Sequence, residues 1–374
     1  MSQLRVVWRA PGGRGRLNAA QLALQATSGL VEDPDAACAP VAVAPDVPTV
    51  VAVDAMGGDR APNEVVAGAR LAVAEGIEVL LVGQEPVVGP LLDGTGIPLL
   101  HANEVVTMDD DPAKSVRRKK DSSLVRCAEA VRDGRAAAMV SAGNTGATMA
   151  SALLRMGRIR GIARPAIVTP IPVPGRSNPT LLLDVGATVD CAPEWLVQFA
   201  RMGCEYARLH HGVESARVGL LSIGEEMGKG DELRKRAYDL LERLPNFVGN
   251  VEGCDLTHER ADVVVTDGFT GNVALKTIEG GARRILGLVA DSLGLVRTGD
   301  QTLGDVLGPV LGSDVAQYDP DAFGGAMLLG IDGVCVISHG ASSARHIAYA
   351  IRLAAECAGA GLVARMKEAI AHGV

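Results

Sequence analysis

From Thr49 to near the C-terminus, short and continuously apolar runs alternate with segments whose apolar residues recur at helical spacing. Continuous runs of Val, Leu and Ile are typical of strands that are buried on both faces of a parallel sheet. The helical segments between them then cover the two faces. The pattern predicts a three-layer α/β/α fold with a mostly parallel sheet, which spans residues 49–374 as one domain. Six strand–loop–helix units carry this pattern, and their strands begin near residues 49, 136, 180, 217, 261 and 333.

Polar residues cluster directly after all six predicted strands, where Gly, Asp, Asn, Ser and Thr prevail. In an open α/β sheet, ligands bind at the carboxyl ends of the strands. Helix N-termini at that edge favour anions because their first N–H groups are free. One such loop is weak evidence, since any α/β protein has turn residues there. Six together predict a single anion-binding crevice.

The segment VSAGNTG shows the pattern most clearly. Ser141 ends an apolar run, Gly143, Asn144, Thr145 and Gly146 follow it, and a helical pattern then begins. The same residues suit an ordinary tight turn and a cradle for a negatively charged group. The local sequence leaves both interpretations open.

The segment DDDPAKSVRRKKDSS carries the strongest charge pattern. It is either a solvated loop of alternating acidic and basic blocks or an arm that places Lys119 or Lys120 over an anionic substrate. A lysine in that position would act as a compact positive charge.

The segment TDGFTGNVALKTIEG places three polar side chains at the start of a predicted helix. Lys276 lies four residues after Asn272, so the two share a helix face. The segment is either a second set of ligand-binding groups or a capped helix with a surface lysine. Isolated carboxylates after other strands often only cap helices, and a lone histidine is more often packed than catalytic. The remaining candidates at strand ends are Asp54, Gly57, Gly58, Asp184, Glu225, Asp267, Thr270 and His339.

Composition and motifs exclude several classes of protein. The 36 basic and 44 acidic residues give a net charge of −8, which disfavours a general nucleic-acid binder, as does an aromatic content of 3 %. The seven cysteines include no CxxC pair and no zinc-site spacing, which indicates reduced thiols in a cytoplasmic protein. There is no GxGxxG after a strand, no complete phosphate-binding loop of the Walker type and no nucleophile elbow. No metal site is predicted.

Residues 1–48 differ from the rest of the chain. They are rich in Ala, Pro, Gly and charged residues, with only a weak helical stretch between two such segments. This composition is typical of a disordered extension, or of translation from an upstream start codon. We predict a disordered extension there.

Eight segments in order resemble the bacterial phosphate acyltransferase (PlsX) family. The resemblance runs from about Thr49 to near the C-terminus. Arg60, Ser222 and Asp231 stand where members of that family often carry His, Asn and Asn, which leaves the roles of these three positions open. The segments are VAVDAMGGDRAPNEVV, KKDSS, VSAGNTGATMA, LLLDVGATVDCAPEWLVQFA, VGLLSIGEE, DVVVTDGFTGNVALKTIEG, FGGAMLLGIDG and SHGASS.

The resemblance implies an acyl-[acyl-carrier-protein]:phosphate transacylase. Such an enzyme moves a fatty acyl group from the carrier-protein thioester to inorganic phosphate, and the acyl phosphate then passes to a membrane glycerol-3-phosphate acyltransferase. It also implies a homodimer with an isocitrate/isopropylmalate dehydrogenase-like fold related to phosphotransacetylases. The enzyme would be cytoplasmic, with peripheral membrane contact in some members, and would need no metal, nucleotide or other cofactor.

The implied reaction suggests roles for the candidate residues. Phosphate is itself the nucleophile, so the site needs donors that hold an anion against a thioester carbonyl rather than an activated Ser or Cys. We expect Asn144, Lys276, Asn272 and Asp267 to be catalytic. We expect phosphate to be bound by Ser141, Gly143, Thr145, Gly146, Lys119, Lys120 and Thr270, with support from Asp54, Gly57, Gly58, Asp184, Glu225 and His339.

Alternatives to this function come from the same fold and from another class. One is a short-chain phosphotransacylase that uses coenzyme A thioesters. Another is a metal- and NAD-dependent dehydrogenase, which would need clustered aspartates that this sequence disperses. A third is a non-catalytic carrier-protein or membrane scaffold. The Leu- and Val-rich stretch 283–312 adds a further question, since it is either a core or dimer helix pair or an amphipathic tip that touches the bilayer.

Overall fold

The computed structural model describes residues 49–295, 297–298, 301–302 and 325–371. The extension predicted for residues 1–48 lies outside the described residues, and the stretch 283–312 is described only in part. All six predicted strand–loop–helix units are present. Between two and ten residues separate each strand from its helix, which leaves room for the polar loops.

The first half of the domain contains four of the strands and a series of short helices. The elements are β1 (Val51–Asp54), α1 (Asn63–Ala74), β2 (Val79–Gly83), α2 (Glu85–Val88), β3 (Leu99–His101), α3 (Pro112–Arg118), α4 (Ser123–Arg132), β4 (Ala138–Ser141) and α5 (Thr145–Arg155).

The second half contains the longer helices. The elements are β5 (Ala166–Ile171), β6 (Thr180–Leu183), α6 (Pro193–His211), β7 (Val218–Leu221), α7 (Glu232–Leu241), β8 (Phe247–Val251), β9 (Val263–Val265), α8 (Gly268–Leu295), β10 (Arg297–Thr298), β11 (Gln301–Thr302), β12 (Ala326–Leu329), β13 (Val334–Ile337), α9 (Ala344–Gly359) and α10 (Leu362–Ala371).

Within the described residues, the main sheet has eleven strands in the order β3-β2-β1-β4-β13-β12-β5-β6-β9-β7-β8. Neighbouring strands are parallel from β3 to β13 and again from β6 to β8. Three antiparallel pairs join these blocks, namely β13–β12, β12–β5 and β5–β6. Each antiparallel pair reverses the strand direction. Because there are three such pairs, the two parallel blocks run in opposite directions.

This reversal corrects the expectation of one crevice built from six strand ends. The carboxyl ends of β1, β4 and β13 lie at one edge of the sheet, and those of β6, β7 and β9 lie at the opposite edge. The prediction failed because it treated all strands as parallel. The polar loops therefore form two separate groups.

Helices cover both faces of the sheet, as the continuously apolar strands predict. On β4 the alternate side chains of Ala138 and Val140 enter the core with α1, α6 and α9, while Met139 enters the core with α4 and α5. The first turns of α8 pack on this second face through Leu275 and Ile278. The three-layer α/β/α arrangement is thus confirmed.

Two half-buried histidines near the C-terminal end of α6 give the fold a predicted acid sensitivity. Burial lowers the pKa of His210 from 6.5 to about 4, and burial together with His210 lowers the pKa of His211 to about 3. Both rings stay neutral in the folded chain below pH 6.5, whereas the unfolded chain binds protons there. Folding stability should therefore fall as the pH drops from 6.5 towards 4. For His210 alone the loss is on the order of 3 kcal/mol by pH 4.

Chemical unfolding at a series of pH values measures this loss. Glu356 lies 3.8 Å from His210 Nδ1 and is the acid that faces the pair. His210→Gln with His211→Gln should flatten the decline between pH 6.5 and 4.5, whereas His258→Gln, at an exposed ring, should leave it unchanged. An unchanged slope in the double variant would contradict the assignment.

Candidate functional site

The loops after β1, β4 and β13, together with residues 105–111, form the first loop group. At its centre a chain of two hydrogen bonds links backbone to carboxylate: Gly143 N–H donates to Ser141 Oγ at 3.1 Å, and Ser141 Oγ–H donates to Asp54 Oδ2 at 2.8 Å. Asp54 and Ser141 are only 3 % and 1 % exposed. Burial raises the pKa of Asp54, and hydrogen bonds from Ser123 and Ser141 oppose that shift. The chain fixes the turn after β4, so Ser141 and Gly143 hold the turn rather than offer free donors.

Two glycines after β1 allow this close packing. A Cβ on Gly57 would lie 2.6 Å from Asp54 Oδ2 and 2.8 Å from Gly143 N, inside van der Waals contact. Gly58 has a φ of +110°, which favours glycine, and it packs against the carbonyl of Gly340 after β13. Both residues therefore support the site by backbone approach, as the sequence predicts for glycines at a strand end.

Asn144 uses its whole side chain to fix structure. Its Oδ1 accepts the Ala147 N–H at 3.0 Å and caps α5, while its Nδ2 donates to the carbonyls of Met108 at 2.9 Å and Asp110 at 3.4 Å. Phosphate needs donors, and both N–H bonds of this amide are already used. All hydrogen-bonding groups of the Asn144 side chain are thus engaged within the protein.

The basic segment after residue 111 forms the ordered helix α3, capped by Asp111. It packs against the start of α5 so closely that a Cβ on Gly146 would lie 2.8 Å from Pro112 Cγ. Lys119 Nζ donates to the Val105 carbonyl at 2.9 Å and to Asp110 at 2.5 Å, and this contact lowers the pKa of Asp110. Lys119 thus anchors the segment.

Free donors remain at the start of α5. The N–H groups of Thr145 and Gly146 precede the first intrahelical bonds, and neither has an acceptor in the described part of the chain. Thr145 is exposed, as are Lys120 on the adjoining segment and His339 after β13. His339 Nδ1 accepts the Ala341 N–H at 3.2 Å, so a neutral ring carries its proton on Nε2. The start of α5 is therefore an open helix end with two backbone donors unused among the described residues.

The second loop group consists of the loops after β6, β7 and β9, and a buried arginine organises it. Arg234 is 8 % exposed and its Nη2 donates to the hydroxyls of Thr266 at 3.0 Å and Thr270 at 2.9 Å and to the carboxylate of Asp267. Its Nη1 donates to Asp231 Oδ2 at 2.8 Å. The guanidinium therefore ties the N-terminus of α7 to that of α8.

Asp267 is held in its charged form by these contacts. Burial acts to raise its pKa, but the Thr270 N–H and hydroxyl and the Arg234 guanidinium outweigh burial and lower the pKa. A carboxylate with a lowered pKa and all its neighbours engaged is a poor base. The contacts of Asp267 and Thr270 are therefore with the Arg234 cluster.

Asp184 shapes the turn after β6. Its carboxylate accepts four backbone N–H groups, from Gly186, Ala187, Thr188 and Ile167, at 2.6–3.0 Å. Burial raises the pKa of Asp184, and these four hydrogen bonds offset only part of that rise. Helix α8 approaches the same turn, where a Cβ on Gly271 would lie 1.9 Å from the Asp184 carbonyl oxygen.

Three further predicted residues make local contacts in the second loop group. Asn272 Nδ2 donates to the Val185 carbonyl at 3.1 Å and so joins α8 to the turn after β6. Lys276 is exposed and pairs with Glu279 at 2.8 Å. Glu225 pairs on the surface with Arg260 at 2.8 Å. The structure brings none of these three into contact with the first loop group through a hydrogen bond of the described residues.

A pocket of about 630 Å³ lies beside the second loop group. One wall is formed by Met149 and Leu153 of α5, and the other by Ala187 and Val189 of the turn after β6. That turn is held by Asp184. The pocket therefore lies between the second half of α5 and the turn after β6.

Sequence reasoning missed Arg234 and Ser123. Arg234 lies in a helix rich in charged residues, and its main partner, Asp267, is 33 residues away. The signal within the sequence was weak: Asp231, three residues earlier, matches an N-cap before a helix. Ser123 was inside a segment singled out for its lysines, although its hydroxyl reaches buried Asp54.

Comparison with known proteins agrees with this architecture. A profile of the family described as "Fatty acid synthesis protein" matches residues 49–365. The phosphate acyltransferase of Desulforudis audaxviator (strain MP104C) is 49% identical over 318 residues, which cover 84% of this chain and 93% of the relative. The phosphate acyltransferase of Geobacillus sp. (strain WCH70) is 45% identical over 324 residues, which cover 86% of this chain and 98% of the relative.

Solved structures support the fold. A phosphotransacetylase from Streptococcus pyogenes superposes with a TM-score of 0.53 at 19% identity, over 83% of this chain and 94% of that one. A branched-chain phosphotransacylase from Enterococcus faecalis V583 gives a TM-score of 0.52 at 13% identity. The match covers 83% of this chain and 99% of that one. At such identities the likeness concerns the fold, and it confirms the predicted relation to phosphotransacetylases. From the matched length and the identities together, the chain belongs to the fatty acid synthesis protein family and, within it, to the phosphate acyltransferases.

Proposed function

We propose that the protein transfers a fatty acyl group from acyl-[acyl-carrier-protein] to inorganic phosphate, which gives acyl phosphate and the free carrier protein. The observation that carries this proposal is the open N-terminus of α5. There the Thr145 and Gly146 N–H groups are free, and the turn before them is fixed by the Asp54–Ser141–Gly143 chain. A helix end of this kind binds a phosphate oxygen through N–H groups and its partial positive charge.

The reaction needs positioning more than it needs a protein nucleophile. An oxygen of phosphate attacks the thioester carbonyl carbon, the carbon–sulfur bond breaks, and the thiolate leaves with the proton that phosphate gives up. Holding phosphate and thioester in near-attack geometry contributes roughly 7–11 kcal/mol. Donors at the developing oxyanion lower the barrier further. A site of fixed N–H groups and cations therefore meets the chemical need.

The contacts divide the residues between binding and positioning. Thr145, Gly146 and Lys120 are the proposed phosphate ligands, because their donors are free or exposed. Ser141, Gly143 and Asn144 hold the turn that presents them. Lys276 lies on α8, which begins in the second loop group, and pairs there with Glu279. No contact of the described residues places it beside these phosphate ligands.

Phosphate-dependent cleavage of an acyl thioester tests the function. Incubation with palmitoyl-carrier protein and phosphate, without added metal or nucleotide, should release free thiol and form acyl phosphate, which hydroxylamine traps. Lys120→Gln should raise the KM for phosphate at least tenfold, because it removes a charge beside the helix end. Lys114→Gln is the matched control, since this exposed lysine of the same segment pairs with Asp111.

Two of the alternative functions predict different outcomes of this assay. A short-chain phosphotransacylase would consume acetyl- or butyryl-coenzyme A and leave the carrier-protein thioester intact. A scaffold protein would bind the carrier without releasing thiol. Equal KM values for phosphate in Lys120→Gln and Lys114→Gln would contradict the assignment of Lys120 while leaving the reaction intact.

The surface of α8 supports a further part of the proposal, a homodimer. Ile285, Leu288 and Val289 are 62%, 49% and 44% exposed and share one face of the helix at spacings of three and four residues. A second copy would cover such a stripe, which fits one of the alternatives that the sequence left open for this stretch and the homodimer that the resemblance implies. Peripheral membrane contact in this region and hand-over of acyl phosphate to a membrane acyltransferase remain proposals of the same kind. Among the described helices, none alone has the length and apolarity to cross a bilayer, and one pair bent by 52°, α9 with α10, meets the test on length and composition alone.

A further inference from the structure

Three arginines lie close together in the loop after α5, and none pairs with an acid within the described residues. Arg158, Arg160 and Arg164 are all exposed. Arg158 Nη1 donates to the Ala163 carbonyl within the loop, and the Arg164 guanidinium lies 5.0 Å from the centre of the Trp195 ring. No carboxylate of the described residues neutralises these three guanidinium groups. This loop is therefore a local positive surface on a chain whose net charge is −8.

Two of these arginines line the pocket between α5 and the turn after β6. Arg158 and Arg164 border it together with Met149 and Leu153 of α5, whereas Arg160 does not. Asp190 also borders the pocket and forms no ion pair with either arginine among the described side chains. The pocket thus has a cationic end and apolar walls.

A continuous stripe on α5 connects that cationic end to the proposed phosphate site. Thr145, Met149 and Leu153 are spaced by four residues, so they lie on one face of the helix. The eleven residues of α5 span about 16 Å at 1.5 Å per residue. A ligand bound by the arginines at one end therefore needs an extended, mostly apolar arm to bring a reacting group to the other end.

Resting on the proposed function, we propose that this groove binds the phosphopantetheine arm of the acyl-carrier protein. The phosphodiester of the arm is an anion that Arg158 and Arg164 bind, since a guanidinium matches phosphate oxygens with paired N–H donors. The pantetheine chain lies along Met149 and Leu153. Its thioester then reaches the N-terminus of α5, where phosphate is held. The groove therefore selects a carrier-bound thioester as the acyl donor. The arm of that donor enters from the end where the two arginines lie.

Steady-state kinetics of Arg164→Gln test the groove. We expect the KM for palmitoyl-carrier protein to rise at least tenfold, while the KM for phosphate stays within twofold of the wild-type value. Activity towards a palmitoyl-N-acetylcysteamine thioester, which lacks the phosphodiester, should not change. Arg164→Lys keeps the positive charge but loses the paired N–H donors. Its KM for palmitoyl-carrier protein should lie between those of the wild type and Arg164→Gln. Arg160→Gln is the matched control, because this arginine belongs to the same loop but lies outside the pocket.

Titration of the purified protein with carrier protein separates the arm from the rest of the partner. Arg164→Gln should weaken binding of the holo carrier protein, which has the arm, at least tenfold and leave binding of the apo form unchanged. Equal weakening of both forms would overturn the assignment to the arm, and so would wild-type kinetics in Arg164→Gln. Should the wild-type protein form no acyl phosphate, the proposed function fails, and the holo–apo comparison still decides whether the groove binds the arm.

Discussion

Replacement of Arg234 by Met should lower the free energy of unfolding by about 3–5 kcal/mol. The substitution removes every hydrogen bond of a guanidinium that is 8 % exposed and leaves Asp267, at 6 % exposure, as a buried charge without its cation. It also separates the starts of α7 and α8, which Arg234 links through Asp231 and Thr270. Urea unfolding followed by circular dichroism measures the loss.

Two companion variants sharpen this result. Arg236→Met changes an arginine of the same helix whose side chain is 60% exposed and lies 3.9 Å from Glu194, so its effect should stay below about 1 kcal/mol. Combining Arg234→Met with Asp267→Asn should recover part of the lost stability, because the buried charge disappears with its partner. Equal losses for Arg234→Met and Arg236→Met would show that the cluster does not stabilise the second loop group.

Gly57→Ala should reduce kcat/KM for phosphate at least a hundredfold while the protein remains folded. The added Cβ would lie 2.6 Å from Asp54 Oδ2, 2.8 Å from Gly143 N and 3.0 Å from Ser141 Oγ, so all three atoms must move. These atoms form the chain that fixes the turn before α5. A displacement of about 1 Å at a site that acts by positioning is sufficient for a loss of that size.

The kinetics of Gly57→Ala are interpretable only beside a second glycine variant. A Cβ on Gly253 would meet no heavy atom within 4 Å, so Gly253→Ala should keep wild-type kinetics. Circular dichroism spectra and thermal midpoints of both variants show whether the fold persists. Wild-type kcat/KM in a folded Gly57→Ala protein would remove the turn after β4 from the catalytic site.

The sequence predicted correctly those structural features that depend on residues nearby in the chain. The helices and strands of all six units follow from local periodicity, and Asp54 and Ser141 stood out because polar residues after buried strands are placed by the strand itself. Asn144 was identified as important for the same reason. The partners of its amide, Met108 and Asp110, could not be predicted, because tertiary packing brings them in from more than thirty residues away.

What the sequence could not provide was the direction of the second parallel block. Strands β12, β5 and β6 look like any other short apolar run, and nothing local distinguishes parallel from antiparallel pairing. The six strand ends were identified correctly. The prediction of a single crevice was wrong because it placed all six at the same edge of the sheet. Arg234 was missed for a related reason. Its hydrogen-bond partners Asp267 and Thr266 are distant in the sequence and come into contact with it only when the second parallel block is assembled.

The three antiparallel pairings have a consequence for which changes the enzyme tolerates during evolution. Met327 of β12 pairs with Val168 of β5, and Val168 pairs with Leu183 of β6, next to Asp184. A one-residue insertion in β12 would shift this register by about 3.3 Å and turn the strand's side chains to the opposite face. That shift is as large as the distance of roughly 3–3.5 Å at which reacting atoms must be held. We therefore expect lengthening of surface loops to be accepted among natural variants, while the central strands keep a fixed length.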